Sequence, residues 1–151
     1  TCDAYHITAP HPEAIGGARA ISLSIEEAGM QDETEIYINA HGTGTPLNDK
    51  SETIAIKKAL GDKAYGALIS STKSMTGHML GAAGAVEAIA SVLSLKNSII
   101  PPTIGYREKD EECDLDYVPN KARKKDINIA VSVSLGFGGH NASIAFKKFN
   151  G

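Results

Sequence analysis

Cysteine is scarce in this chain of 151 residues: Cys2 and Cys113 stand far apart and outside any CxxC pair. That scarcity argues against a disulfide framework or a structural zinc site, and it fits a reducing, cytoplasmic setting. Charge of one sign is also in short supply, the formal net charge being -3 with histidines neutral. No basic excess therefore points to nucleic acid or to an anionic membrane as a partner. Long apolar runs are missing as well. Glu87 and Lys96 bracket the longest one, which falls short of the roughly 18 uncharged residues that a spanning helix needs. The opening Thr1-Cys2-Asp3 lacks the charged-then-apolar pattern of a signal peptide. The P-loop and dinucleotide-binding glycine spacings are absent, and so is HExxH, which leaves nucleotide and zinc readings without a motif.

What is present is a 42% hydrophobic chain, long enough for one domain with a sizeable core. After Pro12, residues Ala14, Ala18, Ile21, Ile25 and Ala28 share one helical face, and Gly29 supplies a stop. Ile36 to Ala40 is short, β-branched and aromatic, and it reads as a strand delivering the loop His41-Gly42-Thr43-Gly44-Thr45. Asn48 or Asp49 is placed to cap a second helix that ends near Leu60, with Glu52 in its first turn. Ala67 to Ser70 reads as another strand, followed by the polar loop Ser71 to His78 and a long helix from about Met79 to Lys96. That helix is apolar on more than one face, which predicts that it is buried all round. Pro101-Pro102 ends helical structure, and Gly105 to Lys125 reads as irregular surface with a short strand at Leu115 to Val118. Two β-type runs, Ile127 to Leu135 and Ala142 to Phe149, close the chain around Gly136 to Asn141. This alternation predicts an α/β fold: a mixed, mostly parallel sheet flanked by helices, with a C-terminal antiparallel hairpin. Ligands in such sheets gather beyond the carboxyl ends of the strands, where three polar or glycine-rich loops, each with a histidine, are expected.

Each loop has a bland reading beside a chemical one. His41 is either a hydrogen-bonded structural histidine or a ligand contact in a loop whose Gly42 and Gly44 admit close backbone approach, with Thr43 and Thr45 offering hydroxyls. Lys73 and His78 sit before a helix N-terminus, where together they can stabilise an anion; otherwise they are a solvated lysine and a cap. Glu87 tips that balance. It is the one carboxylate between Lys73 and Lys96, and burial makes it costly unless paired, so Lys73 is the expected partner. Phe137, an aromatic among glycines, is free to swing over a pocket, although such glycines more often make a plain hairpin turn. The basic run Lys121, Arg123, Lys124 and Lys125 reads as a solvated face, with an acidic partner as the alternative.

Asn39 to Pro46, Ser71 to His78, Gly81 to Glu87, Asp3 to His6, Pro101-Pro102-Thr103 and Gly136 to Gly139 together resemble, in order, the elongating β-ketoacyl-acyl-carrier-protein synthases. The likeness is greatest to the synthase II group of this thiolase-like superfamily. It extends over practically all 151 residues and implies a C-terminal β-ketoacyl synthase domain, one half of a thiolase-like fold. It implies decarboxylative condensation of an acyl thioester with malonyl-acyl carrier protein, extending the chain by two carbons. His41 and His78 would hydrogen-bond the malonyl thioester carbonyl. Lys73 would support the charge balance with Glu87, and Thr43, Thr45 and Thr8 would meet the pantetheine arm. Asp49 would give polar support, and Phe137 would gate the acyl pocket and lend its N–H to an oxyanion hole. No metal or organic cofactor is implied. Implied partners are acyl carrier protein, the missing N-terminal half and, for the parent, a second copy in a homodimer. Neither cysteine occupies the family's nucleophile position, so the isolated chain is expected to be inactive. A polyketide ketosynthase and a non-catalytic binding module are the alternatives.

Overall fold

The computed structural model describes residues 1–149. Four strands form the main sheet: β1 (Ile36–Asn39), β2 (Leu68–Ser70), β5 (Ile129–Gly136) and β6 (His140–Lys147), in the order β2-β1-β5-β6. β1 runs parallel to both β2 and β5, whereas β6 returns antiparallel to β5. A separate two-stranded ribbon joins β3 (Ile99–Ile100) to β4 (Arg123–Lys124). The mixed, mostly parallel sheet and terminal hairpin match the sequence expectation.

All four residues of β1 are buried, so both faces of the sheet are covered. Alternation along the strand sends Ile36 and Ile38 into a core with Ile21 and Ile25 of α1 (Ile15–Glu27) and Ile56 of α2 (Pro46–Leu60). Tyr37 goes to the other side, into a cluster with Leu68, Leu95, Ile100, Val118, Ile127 and Ala130. Its phenol shares a 2.9 Å hydrogen bond with Ser70, as a buried hydroxyl requires. Fully burying each such side chain contributes about 1.5–3 kcal/mol before entropy is counted.

Four local expectations are corrected. α2 begins at Pro46, with Thr45 in the cap position, because proline is preorganised for a first helical turn; Asn48 and Asp49 lie inside the helix. No strand forms at Leu115 to Val118, where Asp116 makes only an isolated bridge to Leu68. The predicted long helix starts later, as α4 (Ala83–Asn97), after a tighter turn at Leu80–Ala82. It ends at Asn97, ahead of the prolines, on a left-handed Ser98. Nor is α4 buried all round. Its buried stripe is Ala83, Glu87, Ser91, Ser94 and Leu95, while Ile89, Val92 and Leu93 face outward. Polar groups thus point at the sheet and apolar ones away from it, the inverse of an ordinary surface helix.

The basic run is partly neutralised: Arg123 pairs with Asp116 and Lys125 with Glu35. Glu35 immediately precedes β1, so the Lys125 pair sits at the opposite end of the sheet from the histidine loops.

Candidate active site

The loops that follow β1, β2 and β5 converge at the carboxyl ends of those strands. His41 and His78 meet there edge to face, ring centroids 5.3 Å apart and planes at 85°. Both line a cleft of about 1050 Å³, together with Thr8, Thr43, Thr45 and Phe137. A smaller cavity of about 540 Å³ shares Thr43, Thr45 and His78 with the cleft and adds Asp49, Glu52 and Lys73. Eight of the nine residues singled out from the sequence therefore line one or both hollows. Glu87 lines neither and lies behind them.

The backbone N–H of Leu80 donates to Nδ1 of His78 at 3.1 Å. A nitrogen that accepts carries no proton, so the donor this ring presents to the cleft is Nε2. His41 is buried, and its Nδ1 has no hydrogen-bond partner among the described residues. Burial first, then the charges of Lys73 and His78, push its pKa down to about 4. His41 is therefore a neutral imidazole near pH 7, able to donate one hydrogen bond without carrying charge.

Lys73 opens the short helix α3 (Lys73–Thr76). Its Nζ donates to Oε1 of Glu87 at 2.5 Å, with both side chains almost entirely shielded from water. The expected pair forms. Oε2 of Glu87 has no partner among the described residues, so Lys73 is the principal compensation for that charge.

Asp49 is no helix cap. Its Oδ1 accepts from the N–H of Gly44 at 3.2 Å, bracing the turn that carries Thr43 and Thr45, whose hydroxyls lie 3.1 Å apart. Gly44 has φ 74° and Gly42 φ 38°, the left-handed region that favours glycine. Phe137 is 77% exposed on the turn between β5 and β6. That turn is tied to the N-terminal segment: the N–H of Gly138 donates to Ile7, the N–H of Asp3 to Gly139, and Nδ2 of Asn141 to Asp3. These tether residues, Asp3 and Asn141, were not singled out by sequence reading, and only the Asp3-Ala4-Tyr5-His6 run hinted at the first.

Glu52 is the larger omission. It is 3% exposed, and its two oxygens accept the backbone N–H groups of His41 at 2.7 Å and Gly42 at 2.8 Å. Its spacing from Ala55 and Ile56 places it on the core-facing side of α2, a signal readable only once that face is known.

Cys113 is half-buried and lines the smaller cavity, its thiol pKa pushed up by burial. Cys2 is exposed, with Sγ 3.5 Å from the Gly138 carbonyl. Neither cysteine lines the cleft that holds both histidines.

Residues 1–107 match the family model of the β-ketoacyl synthase C-terminal domain. The chain belongs to that family. It is 54% identical over 149 residues to 3-oxoacyl-[acyl-carrier-protein] synthase 2 of Synechocystis, and 56% identical over 149 residues to the Staphylococcus aureus protein of that name. Each alignment covers 99% of this chain and 36% of the relative, so the chain spans about a third of the length of these proteins. Among solved structures, the ishigamide ketosynthase/chain length factor superposes with a TM-score of 0.92 at 44% identity. A type II polyketide ketosynthase in complex with its acyl-carrier protein gives 0.95 at 39%, and a β-ketoacyl synthase from Burkholderia phymatum gives 0.89 at 36%. Each match covers 99% of this chain and 36 or 37% of the other. The β-ketoacyl synthase likeness thus includes the fold, in which a mostly parallel sheet lies between helices and ends in an antiparallel pair.

Proposed function

We propose that residues 1–151 form the C-terminal domain of a 3-oxoacyl-acyl-carrier-protein synthase that elongates fatty acids in the cytoplasm, supplying the enolate-stabilising side of its site. In this reading malonyl-acyl carrier protein enters the cleft with its thioester carbonyl between the two imidazoles. The bond between the α-carbon and the carboxylate breaks, carbon dioxide leaves, and the electron pair passes into an enolate whose oxygen accepts hydrogen bonds from His41 and His78. The enolate carbon then attacks an acyl thioester held on a cysteine of the remaining part of the protein. The tetrahedral adduct collapses by expelling that thiolate, leaving a product two carbons longer.

One observation carries the proposal: two imidazoles meet edge to face in the cleft, one held neutral by burial and the other presenting Nε2. Hydrogen-bond donors aimed at a developing oxyanion strengthen as charge forms, and each is worth about 3 kcal/mol. Behind them Lys73 keeps a positive charge next to the site, fixed by Glu87. Thr8, Thr43 and Thr45 offer hydroxyls to a pantetheine arm along the cleft, Phe137 covers its acyl end and lends an N–H to the second oxyanion, and Asp49 braces the threonine turn. The parent is a homodimer in this reading.

Joining this chain to the remaining two-thirds of its parent and measuring malonyl decarboxylation tests the proposal. His41→Ala and Lys73→Ala are expected to lower the rate at least about tenfold, and unchanged rates would refute the assignment. The structural likeness to a type II polyketide ketosynthase supports a second reading, in which the same half-site serves repeated condensation without full reduction. Product analysis on the intact parent separates the two.

A further inference from the structure

Part of the wall of the smaller cavity is neither helix nor strand. Tyr106, Asp110, Cys113 and Tyr117 line it, and all four belong to the irregular segment between β3 and β4. That segment is pinned at two points. The N–H of Tyr106 donates to Oδ1 of Asn120 at 3.0 Å, and Nδ2 of Asn120 donates back to the Tyr106 carbonyl at 2.7 Å. Further on, Leu115 is buried and the Asp116 carbonyl accepts the N–H of Ile69 at 2.8 Å. Between the pins, from Arg107 to Asp114, no backbone hydrogen bond reaches another part of the chain among the described residues. What holds this stretch down is charge: Glu112 pairs with Lys50 and Asp114 with Lys57, both lysines standing on α2. The side chains of the first pair are 49% and 59% exposed, and pairs so open to water are weak and screened by salt. A segment with no backbone tie and little burial opens locally while the rest of the domain stays folded.

We infer that Arg107 to Asp114 is a strap that opens a rear passage into the site, through which carbon dioxide leaves while a pantetheine arm fills the cleft. What passes rests on the function proposed above, whereas the opening itself does not. The smaller cavity and the cleft meet at Thr43, Thr45 and His78. An arm lying along the two threonines occupies the cleft from the front, so a molecule released beside His78 has the smaller cavity as its free neighbour. That molecule is small and uncharged, and Ala40, Ile56 and Ile104 give it apolar wall to cross. The strap closes the far side of the same space, with Cys113 lining the cavity from within it. Closed, it shields Lys73 and His78 from bulk water; open, it lets the product out without disturbing the arm.

Two measurements on the intact synthase test this. Because Cys113 is half-buried against the cavity, the rate at which a maleimide reaches it reports opening, read by mass spectrometry on the peptide that carries it. Reversing both lysines, Lys50→Glu with Lys57→Glu, is expected to raise that rate about threefold to tenfold. Adding Glu112→Lys with Asp114→Lys should bring it back. Lys58→Glu, exposed on the same helix and outside the ion pairs of the described residues, should change it less than about twofold. The second measurement is malonyl decarboxylation by Cys113→Phe and Ile104→Phe, each of which narrows the passage with a ring. Both are expected to lower kcat at least about threefold while KM for the malonyl thioester stays within about twofold; should one of them not fold, the other carries the test. If the double reversal labels no faster than Lys58→Glu, the strap does not open and the inference falls. If the ring variants keep the natural kcat, carbon dioxide leaves another way and the inference falls as well. His41→Ala separates this from the function itself: decarboxylation unchanged there sinks the functional reading, and the labelling comparison still decides whether the strap opens.

Discussion

Removing Lys73 is the sharpest perturbation the structure offers. Its Nζ lies 2.5 Å from Oε1 of Glu87, with side chains 4% and 3% exposed. At an effective dielectric of about 20 the gross attraction of such a pair is about 7 kcal/mol, and withdrawing the two ions from water costs several kcal/mol each. The pair therefore adds little net stability over an apolar replacement, yet breaking it is expensive. Lys73→Ala leaves a buried carboxylate whose other oxygen already lacks a partner, and about 3–5 kcal/mol should be lost. That is a large share of the roughly 5–15 kcal/mol holding a domain together. Glu87→Gln strands the lysine at a similar cost. Lys73→Ala with Glu87→Gln together should lose far less than the two single changes added, giving a coupling of at least about 2 kcal/mol. Urea unfolding of the four proteins at fixed pH measures it. Additive single changes would show that the two charges are independently solvated and would refute the buried-pair account.

Three other outcomes follow from the same geometry. Gly42→Ala places a Cβ 2.5 Å from that of Ser71 at a φ of 38°; it should cost about 1–3 kcal/mol of stability in urea unfolding, and decarboxylation should fall with it. Stability against pH tests the two shifted groups together. Glu52 has a folded pKa of about 7, above its ordinary 4.5, so it adds stability as pH falls from 7 toward 4.5, by up to about 3 kcal/mol. His41 has a folded pKa of about 4, below its ordinary 6.5, so its contribution is lost as pH falls through the same window. The two oppose each other, and the Glu52→Gln protein should lose stability from pH 6.5 to 4 where the natural protein stays nearly level; parallel curves would refute the pairing. Finally, Ile89→Glu with Leu93→Glu should reduce dye binding and self-association of the isolated chain while preventing its joining to the rest of the parent; equal joining would show that this face of α4 stays open to solvent.

Much of this was legible in the residues, for local reasons. His41, Lys73, His78 and Phe137 sit where short β-type apolar runs give way to glycine and hydroxyl residues, and in a parallel sheet such junctions gather at one end. Glu87 stood out as a lone carboxylate in apolar surroundings, and its lysine followed from the cost of burying it unpaired. What stayed hidden was relational. Glu52 looks like any acidic residue in a first helical turn, and only the packing of α2 against the β1 loop turns it inward. Asp3 and Asn141 are 138 positions apart, and nothing local joins them. α4 misled because hydropathy counts apolar side chains without saying which way they point: its apolar face looks outward while serine and glutamate meet the sheet. Thr45-Pro46 began a helix earlier than the next acidic cap because a proline's fixed φ outweighs a side-chain hydrogen bond.

The two walls of the cleft differ in how they are attached. His41 follows β1, which is hydrogen-bonded to a strand on each side, whereas Phe137 crowns the hairpin that ends in β6 at the sheet edge. Amides in the middle of a sheet exchange with solvent only when the whole domain opens, while those of an edge turn exchange through local fraying. Events on the first wall therefore keep the clock of unfolding and events on the second that of loop motion, nanoseconds to microseconds. Under the proposed function, a substrate can come and go past the aromatic many times within one lifetime of the histidine geometry, so traffic and alignment need not compete.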